Sequence, residues 1–479
     1  MELIESFFHV PRNLITEELE GIYGSQVLRE MGEIIEYYKV YEEGAEFHIP
    51  TGKNYEPPQL AYRKIKILID REARFLFSKL PDILVKSKVL GENEDKISIL
   101  QDFLNAVLEE NQFTGKLSKA ARDCFIGKRI AMLCNFNDKG IQVDIIPSLE
   151  FIYDVDKFGE LSKIICFYAL NDAEDKKEQR LYRKKYWMED GFCWFEEGEY
   201  DGGGQLVETY ISPTKTEFTY IPAVIILNDG LLGDLYGKSD VESLMDYESL
   251  YSQLGNSDID AELHTMNPII YSIDMSPHST NDLSVAAGAF WDLNSDQTQL
   301  TGGKGSIGIL ESNMSYSPVL STTLDRINSL MYNELEIPDT SPEKLQGIVT
   351  SGKTLRAIYW SLIVRCDEKM NTWRPALIKL VKAIIEGAKL YPESAKKYTD
   401  KSLPDVDYNV VVDNQYPLPE EESEEKSIDM SEVVSLTMSR KAYMKKWRNM
   451  TDDEIDEELQ QIAKEKQLFE STGFLPQGV

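Results

Sequence analysis

The residues whose types and spacing could do chemistry lie between positions 344 and 360, in the stretch KLQGIVTSGKTLRAIYW. Within it, Gly347, Gly352, Lys353 and Thr354 have the spacing G-x-x-x-x-G-K-T of a Walker A loop. In such a loop, backbone N–H groups and the lysine hold the phosphates of a nucleotide. The pattern therefore raises the hypothesis of a P-loop ATPase that binds ATP through Gly347–Thr354.

The neighbouring sequence argues against this hypothesis. A Walker A loop joins a buried strand of a parallel sheet to a helix, and another strand ends in an Asp that holds Mg²⁺. The pattern after Thr354 predicts the helix, but Ile337 and the following PDTSPEKLQ contain two prolines and no β-branched run. AVIILND, ending near Asp229, and NVVVD, ending at Asp413, lack alternating β and α segments around them. The simpler interpretation is a positively charged loop followed by a helix.

Other catalytic or metal-binding residue types are dispersed along the chain. The histidines are far apart, the cysteines form no C-x-x-C pair, and the carboxylates do not cluster at strand ends. The sequence therefore offers no cluster of side chains that would form a zinc centre, a histidine-based catalytic centre or the metal site of a nuclease. The sequence predicts no catalytic residue, no cofactor and no metal site. The histidines are His9, His48, His264 and His278, and the cysteines are Cys124, Cys134, Cys166, Cys193 and Cys366.

The charge balance is strongly acidic, with 82 Asp and Glu against 51 Lys and Arg and a net charge of −31. A surface of this sign repels a phosphate backbone, so a tight non-specific DNA-binding protein is disfavoured. A protein that lets DNA pass without retaining it remains compatible, as does an acidic surface that only keeps the protein soluble. No apolar run approaches the ~18 residues of a membrane span, and we expect a soluble chain without a membrane partner.

Residue periodicity predicts an α+β organisation. Helical patterns occupy 16–41, with an interruption at Gly24, and recur in QLAYRKIKILIDREARFLF and KISILQDFLNAVLEENQF. From Arg129 the period changes to two, and RIAMLCNF-NDKG-IQVDII predicts a hairpin. Further strand patterns (KIICFYAL, LYRKKYWM-EDG-FCWF and TEFTYIPAVIILND) bring the expected number to roughly six to eight by residue 230.

The second half predicts long helices around a small β-rich insert. Ser239 and Glu242 have the spacing of a capping box that opens a helix of about 25 residues. The insert follows between 268 and 318, and then a helix with Leu324, Ile327, Met331 and Leu335 on one stripe.

The remaining chain predicts mainly helices. We expect a helical run over 353–391 that Pro375 kinks or splits. A strand in YNVVVDN and an acidic turn in PLPEEESEEK follow. The last helix opens with a capping box at Thr451 and Glu454.

This order of elements resembles the portal proteins of tailed double-stranded DNA bacteriophages, of the siphovirus type. LYGKSDVESLMDYESLYSQLGNSDIDAELHTMNPII resembles the first stem helix with its lead-in. EIPDTSPEKLQGIVTSGKTLRAIYW resembles the segment from the second stem helix through the tunnel loop, and the C-terminal PLPEEESEEKSIDMSEVVSL resembles the crown. Lys353 stands where a small apolar residue is common, and this departure creates the Walker-like string.

The resemblance implies a multi-domain α+β portal fold that assembles as a ring, in which two long stem helices flank a small β-containing clip. The implied domains are a wing at 1–236, stem helix 1 at 237–265, the clip at 266–318, stem helix 2 at 319–337, the tunnel loop at 338–352, a kinked wing helix at 353–375 and the crown at 376–479.

The implied function is a non-enzymatic DNA channel at one capsid vertex, a head-tail connector formed as a dodecamer. The implied partners are double-stranded DNA during packaging and ejection, the terminase large subunit, a head-completion or adaptor protein at the clip, and the major capsid and scaffolding proteins. The protein is expected in the virion, after assembly in the bacterial host cytoplasm. The candidate DNA-facing residues of the tunnel loop are Lys344, Leu345, Gln346, Ile348, Val349 and Lys353.

Overall fold

The computed structural model describes residues 23–50, 56–89, 92–171, 178–231, 233–234, 236–266, 269–273, 306–310, 314–340, 352–399, 402–417, 422–448 and 450–472. The chain divides into two compact units. The first contains residues 1–339 and 361–416, and the second contains residues 340–360 and 417–479.

The described part of the first unit begins with helices α1 Tyr23–Glu43, α2 Lys64–Leu76, α3 Glu94–Glu110 and α4 Phe113–Gly127. The three predicted helical stretches are confirmed, and α1 begins at Tyr23, one residue before the predicted interruption at Gly24. Residues 16–22 of that prediction lie outside the described residues. In α2 the apolar residues Ile65, Leu68 and Leu76 recur at helical spacing, and all three are buried.

The described strands are β1 Asp82–Ser87, β2 Arg129–Asn137, β3 Gly140–Pro147, β4 Phe151–Val155, β5 Leu161–Ala169, β6 Arg180–Glu189, β7 Phe192–Asp201, β8 Leu206–Lys215, β9 Ala223–Leu227, β10 Ile269–Ile273, β11 Ser306–Leu310 and β12 Tyr408–Asp413. They form a three-stranded sheet in the order β3-β2-β9 and a five-stranded meander from β4 to β8. Two further pairs join β1 to β12 and β10 to β11. Each of these pairings is antiparallel.

The predicted hairpin is confirmed, with Phe136 of β2 opposite Ile141 of β3. Gly140 closes its turn at a φ of 127°, a conformation that favours glycine. The predicted strand in YNVVVDN is confirmed as β12, whereas β1, β4 and β8 were not predicted and residues 216–220 form no strand. The two larger sheets share a core that includes the buried Leu133 and Phe151.

The predicted helix, β-rich insert and second helix are confirmed as α5 Met245–Met266, the β10–β11 pair and α6 Ser317–Glu334. Residues 268, 274–305 and 311–313 of the predicted insert lie outside the described residues. The predicted capping box at Ser239 is wrong, because α5 begins six residues later, after a 3₁₀ turn at Glu242–Leu244. The Ser239 hydroxyl donates to the backbone oxygen of Ile126 at 2.7 Å and accepts from Val241 N at 3.1 Å.

The helical run near Pro375 is divided differently from our prediction. It consists of α7 Gly352–Ile358, α8 Trp360–Leu390 and the short α9 Pro392–Ala395. The interruption lies at Tyr359, and α8 continues through Pro375. Proline removes one backbone hydrogen bond from a helix. Here the burial of Trp373 and Leu377, on either side of Pro375, outweighs that loss.

The C-terminal part of the second unit consists of α10 Glu422–Val434, α11 Arg440–Arg448 and α12 Asp452–Thr472. The capping box at Thr451 is confirmed, since Thr451 N donates to Glu454 Oε2 at 2.8 Å and Glu454 N donates to Thr451 Oγ1 at 3.4 Å. The predicted acidic turn is wrong from Glu422 onward, where α10 begins. Lys446 of α11 pairs with Asp429 of α10, so the basic helix offsets part of the acidity of its neighbour.

Membrane-crossing helices are not found in the described part of the chain, where every helix is too short or too polar for a bilayer. All five cysteines are buried free thiols.

Two half-buried carboxyl groups, Asp123 of α4 and Glu150, give the first unit a predicted pH dependence. Burial raises the pKa of Asp123 to about 6, although Tyr38 Oη donates to it at 3.3 Å. Burial also raises the pKa of Glu150 to about 7. Because both values exceed the unfolded-state values of 3.8 and 4.5, the native chain binds more protons between about pH 4 and pH 7. Stability should therefore fall as pH rises through this window.

Replacing Glu150 by glutamine is expected to reduce this fall, because the amide carries no charge to bury. The difference in free energy of unfolding between pH 5 and pH 8 should shrink by about 1–3 kcal/mol in urea titrations. Glu160→Gln is the control, since its side chain is 72% exposed. An unchanged pH dependence in the Glu150 variant would contradict the prediction.

Candidate functional site: the base of the predicted tunnel loop

The structure describes only part of the predicted DNA-facing segment. Lys344, Leu345, Gln346, Ile348 and Val349 lie outside the described residues. Lys353 is the second residue of α7, so the predicted helix after the Walker-like glycines is confirmed and begins at Gly352.

The sheets do not provide the frame that a P-loop requires. The strand that ends near Asp229, β9, pairs antiparallel with β2. The strand that ends at Asp413, β12, pairs antiparallel with β1. Among the described strands, the parallel βαβ arrangement of a P-loop domain is therefore not present.

The two ends of the loop segment meet within the first unit. α6 ends at Glu334, and the chain then passes through Leu335 and Ile337, which are both buried. Glu336, between them, has a φ of 53° and accepts a hydrogen bond from Ser361 Oγ on its backbone oxygen, at 3.2 Å. The first unit thus ends its first stretch of chain just after Glu336 and resumes at Ser361, which contacts the Glu336 backbone.

Helix α2 contacts the three helices that adjoin this base. Its Arg71 donates from Nη1 to Tyr332 Oη of α6 at 2.9 Å. Its Ile65 N donates to Glu248 Oε1 of α5 at 3.3 Å. Its Glu72 accepts from Arg365 of α8. α2 therefore connects both predicted stem helices to α8.

A buried charge cluster, defined by Glu72, Asp240, Arg365 and Lys369, lies where these segments meet. Arg365 Nε donates to Glu72 Oε1 at 2.8 Å, and Arg365 Nη2 donates to Asp240 Oδ1 at 2.8 Å. Lys369 Nζ lies 2.6 Å from Asp240 Oδ2 and 3.3 Å from Glu72 Oε1. Each acid therefore contacts both bases.

The cluster is shielded from solvent, and this burial shapes its electrostatics. Glu72 is fully buried, and burial raises the pKa of its carboxyl despite the opposing effect of Lys369 and Arg365. Burial alone lowers the pKa of Lys369, but Asp240 and Glu72 outweigh it, and the pKa lies above its usual value. The Lys369 ammonium also lies 3.9 Å from the centre of the Phe125 ring, a cation–π contact.

The charge cluster connects α2, α8 and the segment before α5, and it has no arrangement that indicates catalysis. Burial raises the pKa of the nearby Cys124 and Cys366 thiols, so neither is a ready thiolate nucleophile. Among the described residues, no group of three or more His, Cys, Asp or Glu side chains could hold a metal ion. We missed the cluster in the sequence, although Glu72 and Lys369 occupy positions on the buried faces of α2 and α8.

A sequence model of the family described as Phage portal protein, SPP1 Gp6-like, matches residues 25–468. Individually curated proteins give no match. The matched range includes α5, α6 and the buried charge cluster, and it confirms the resemblance to phage portal proteins. The chain therefore belongs to the SPP1 Gp6-like family of phage portal proteins.

Proposed function

We propose that this chain forms the DNA channel at one vertex of a tailed phage capsid, as a dodecameric ring of the siphovirus type. The observation that carries the proposal is the family match over residues 25–468. The order of α5, the β10–β11 pair and α6 supports it, because two long helices around a small sheet suit a stem with a clip at its tip. The role is structural, without catalysis.

The segments would divide this role as follows. α5 and α6 form the stem, and the clip between them docks the terminase large subunit and later a head-completion or adaptor protein. The wing and crown face the major capsid and scaffolding proteins and the packaged DNA. The proposed boundaries are 1–236 for the wing, 237–265 and 319–337 for the stem segments, 266–318 for the clip, 338–352 for the tunnel loop, 353–375 for the wing helix and 376–479 for the crown.

The charge distribution supports transient contact with DNA. A net charge of −31 gives a passing duplex little electrostatic attraction, so few counterions are released and no strong binding holds the DNA in place. Lys344 and Lys353 bring positive charge to the proposed tunnel loop and the helix that follows it. In a ring they would contact phosphates briefly as DNA moves.

The double substitution of Lys344 and Lys353 by alanine is expected to leave ring formation intact and to lower the packaged DNA per capsid by about twofold or more. The reason is that every subunit loses its proposed transient contacts with phosphates. Packaged length is measured by gel electrophoresis of capsid DNA, and ring formation is measured by electron microscopy. Lys79→Ala, an exposed lysine after α2, is the matched control.

Two results would overturn the proposal. One is purified protein that forms no rings with a central channel under assembly conditions. The other is ATP hydrolysis that Lys353→Ala abolishes, which would restore the nucleotide-binding hypothesis. Normal packaging in the double variant would instead remove Lys344 and Lys353 from the channel contacts.

A further inference from the structure

We propose that the buried charge cluster is a positioning device that holds the start of α8 and the lead-in to α5 in one register. The chain re-entering after the tunnel loop and the chain entering the first stem helix then move as one body. This inference rests on the proposed function, which assigns the loop and the stem.

The cluster adjoins both segments along the chain. Arg365 lies one helical turn after Ser361, whose hydroxyl donates to Glu336 at the base of the loop. Asp240 lies just before the 3₁₀ turn at Glu242–Leu244 that leads into α5. Any displacement of α8 along its axis therefore acts directly on the lead-in.

The geometry of Arg365 makes this link directional. Its planar fork reaches Glu72 with Nε and Asp240 with Nη2, both at 2.8 Å. A lysine at this position keeps the charge, but a single ammonium does not reproduce two bonds in fixed directions. The guanidinium thus fixes orientation as well as charge.

Asn228 adds a second point of attachment for the lead-in. Lys369 Nζ donates to Asn228 Oδ1 at 2.7 Å, and Asn228 Nδ2 donates to the backbone oxygen of Lys238 at 2.8 Å. Lys238 N in turn donates to the Asn228 backbone oxygen at 2.7 Å. One ammonium on α8 therefore contacts Asn228, which is bonded to Lys238 across the loop that joins β9 to α5.

The polarity of the cluster favours positioning over simple stabilisation. Apolar residues of similar volume often stabilise a buried site as well as an ion pair does, but they do not fix directions or distances. Four mutually paired charges with defined bond directions permit one arrangement of α2, α8 and the lead-in. A shifted arrangement leaves at least one buried charge without its partner.

The test compares Arg365→Lys with Arg29→Lys, an exposed arginine on α1 that serves as the matched control. In assembled rings, Arg365→Lys should raise amide hydrogen exchange about tenfold at residues 238–244 and 361–366. Exchange in the β4–β8 meander should stay unchanged. Packaged DNA should fall, while Arg29→Lys changes neither quantity.

Other outcomes contradict the inference in separable ways. Uniform loss of protection across the first unit would make the cluster a general stabiliser. Local loosening with normal packaging would show that the register does not matter for DNA passage, and the proposed function would stand. If Arg365→Lys does not assemble, Lys369→Met tests the same local exchange, and unchanged protection in it would overturn the inference.

Discussion

Replacing Gly237 by alanine is expected to destabilise the first unit by about 3 kcal/mol or more. Gly237 has a φ of 73°, a conformation that side chains rarely adopt. A Cβ there would lie 2.9 Å from the backbone oxygen of Asn228 and closer still to that of Lys128. These backbone groups cannot give way easily, because Asn228 N donates to the Lys128 oxygen and Lys238 N donates to the Asn228 oxygen.

Gly233→Ala is the matched control for Gly237→Ala. Gly233 has a φ of 85°, but a Cβ there meets nothing within 4 Å. The Gly233→Ala variant should therefore lose only about 1 kcal/mol of unfolding free energy, which is the cost of the backbone conformation alone. Urea titration of both variants separates the strain from the steric clash. Equal losses of stability in the two variants would show that the backbone of Lys128 and Asn228 shifts to accommodate a methyl group at position 237.

Local patterns predicted the elements whose determinants lie within a few turns of chain. The stripe in α2 and the alternation in the β2–β3 hairpin each determine an element without help from distant residues. The order of α5, the small sheet and α6 was predictable for the same reason. The capping box at Thr451 is confirmed because both of its hydrogen bonds lie within one turn.

Tertiary contacts explain the predictions that were wrong. Ser239 has the right spacing for a cap, but its hydroxyl donates to Ile126, over a hundred residues earlier. Proline usually breaks or kinks a helix, but α8 continues through Pro375 because the residues around it are packed in the core. β1 was not predicted because its partner is β12, with Asp82 opposite Asp413, and no local pattern indicates so distant a pairing.

The candidate site was predictable to a similar extent. The sequence indicated the helix that contains Lys353, and the remaining tunnel-loop residues stay predictions. The charge cluster combines segments around positions 72, 240 and 365, so spacing alone does not bring its members together. The available signal was a charged residue on an apolar helix face, as with Glu72 between Leu68 and Phe75.

Replacing Glu248 by alanine is expected to destabilise the first unit by about 2–4 kcal/mol. Its side chain is fully buried and accepts hydrogen bonds from Ala45 N and Ile65 N, each at 3.3 Å. Ile65 is the second residue of α2, and Arg63, the residue before that helix, provides no side-chain cap. Glu248 therefore caps α2 from another helix, and alanine leaves two buried donors without partners.

Glutamine and an exposed carboxylate provide the controls for Glu248→Ala. Glu248→Gln keeps an acceptor oxygen and should lose about 1 kcal/mol, while Asp246→Ala, on the exposed face of the same helix, should change stability by less than about 0.5 kcal/mol. Burial raises the pKa of Glu248, and the N–H groups of Ile65 and Ala45 oppose that rise. Urea titration at neutral pH compares the variants.

The same variants test how the predicted first stem helix is held. The buried residues described in α5 are Glu248, Ser252, Gly255 and Asn256, so its attachment depends on polar contacts more than on apolar packing. Asn256 also bonds both backbone groups of Leu60, at 2.8 and 2.9 Å. Loss of the Glu248 contacts should therefore loosen α5 and lower the yield of assembled rings. If Glu248→Ala behaves like Asp246→Ala, contacts other than the α2 cap hold the stem.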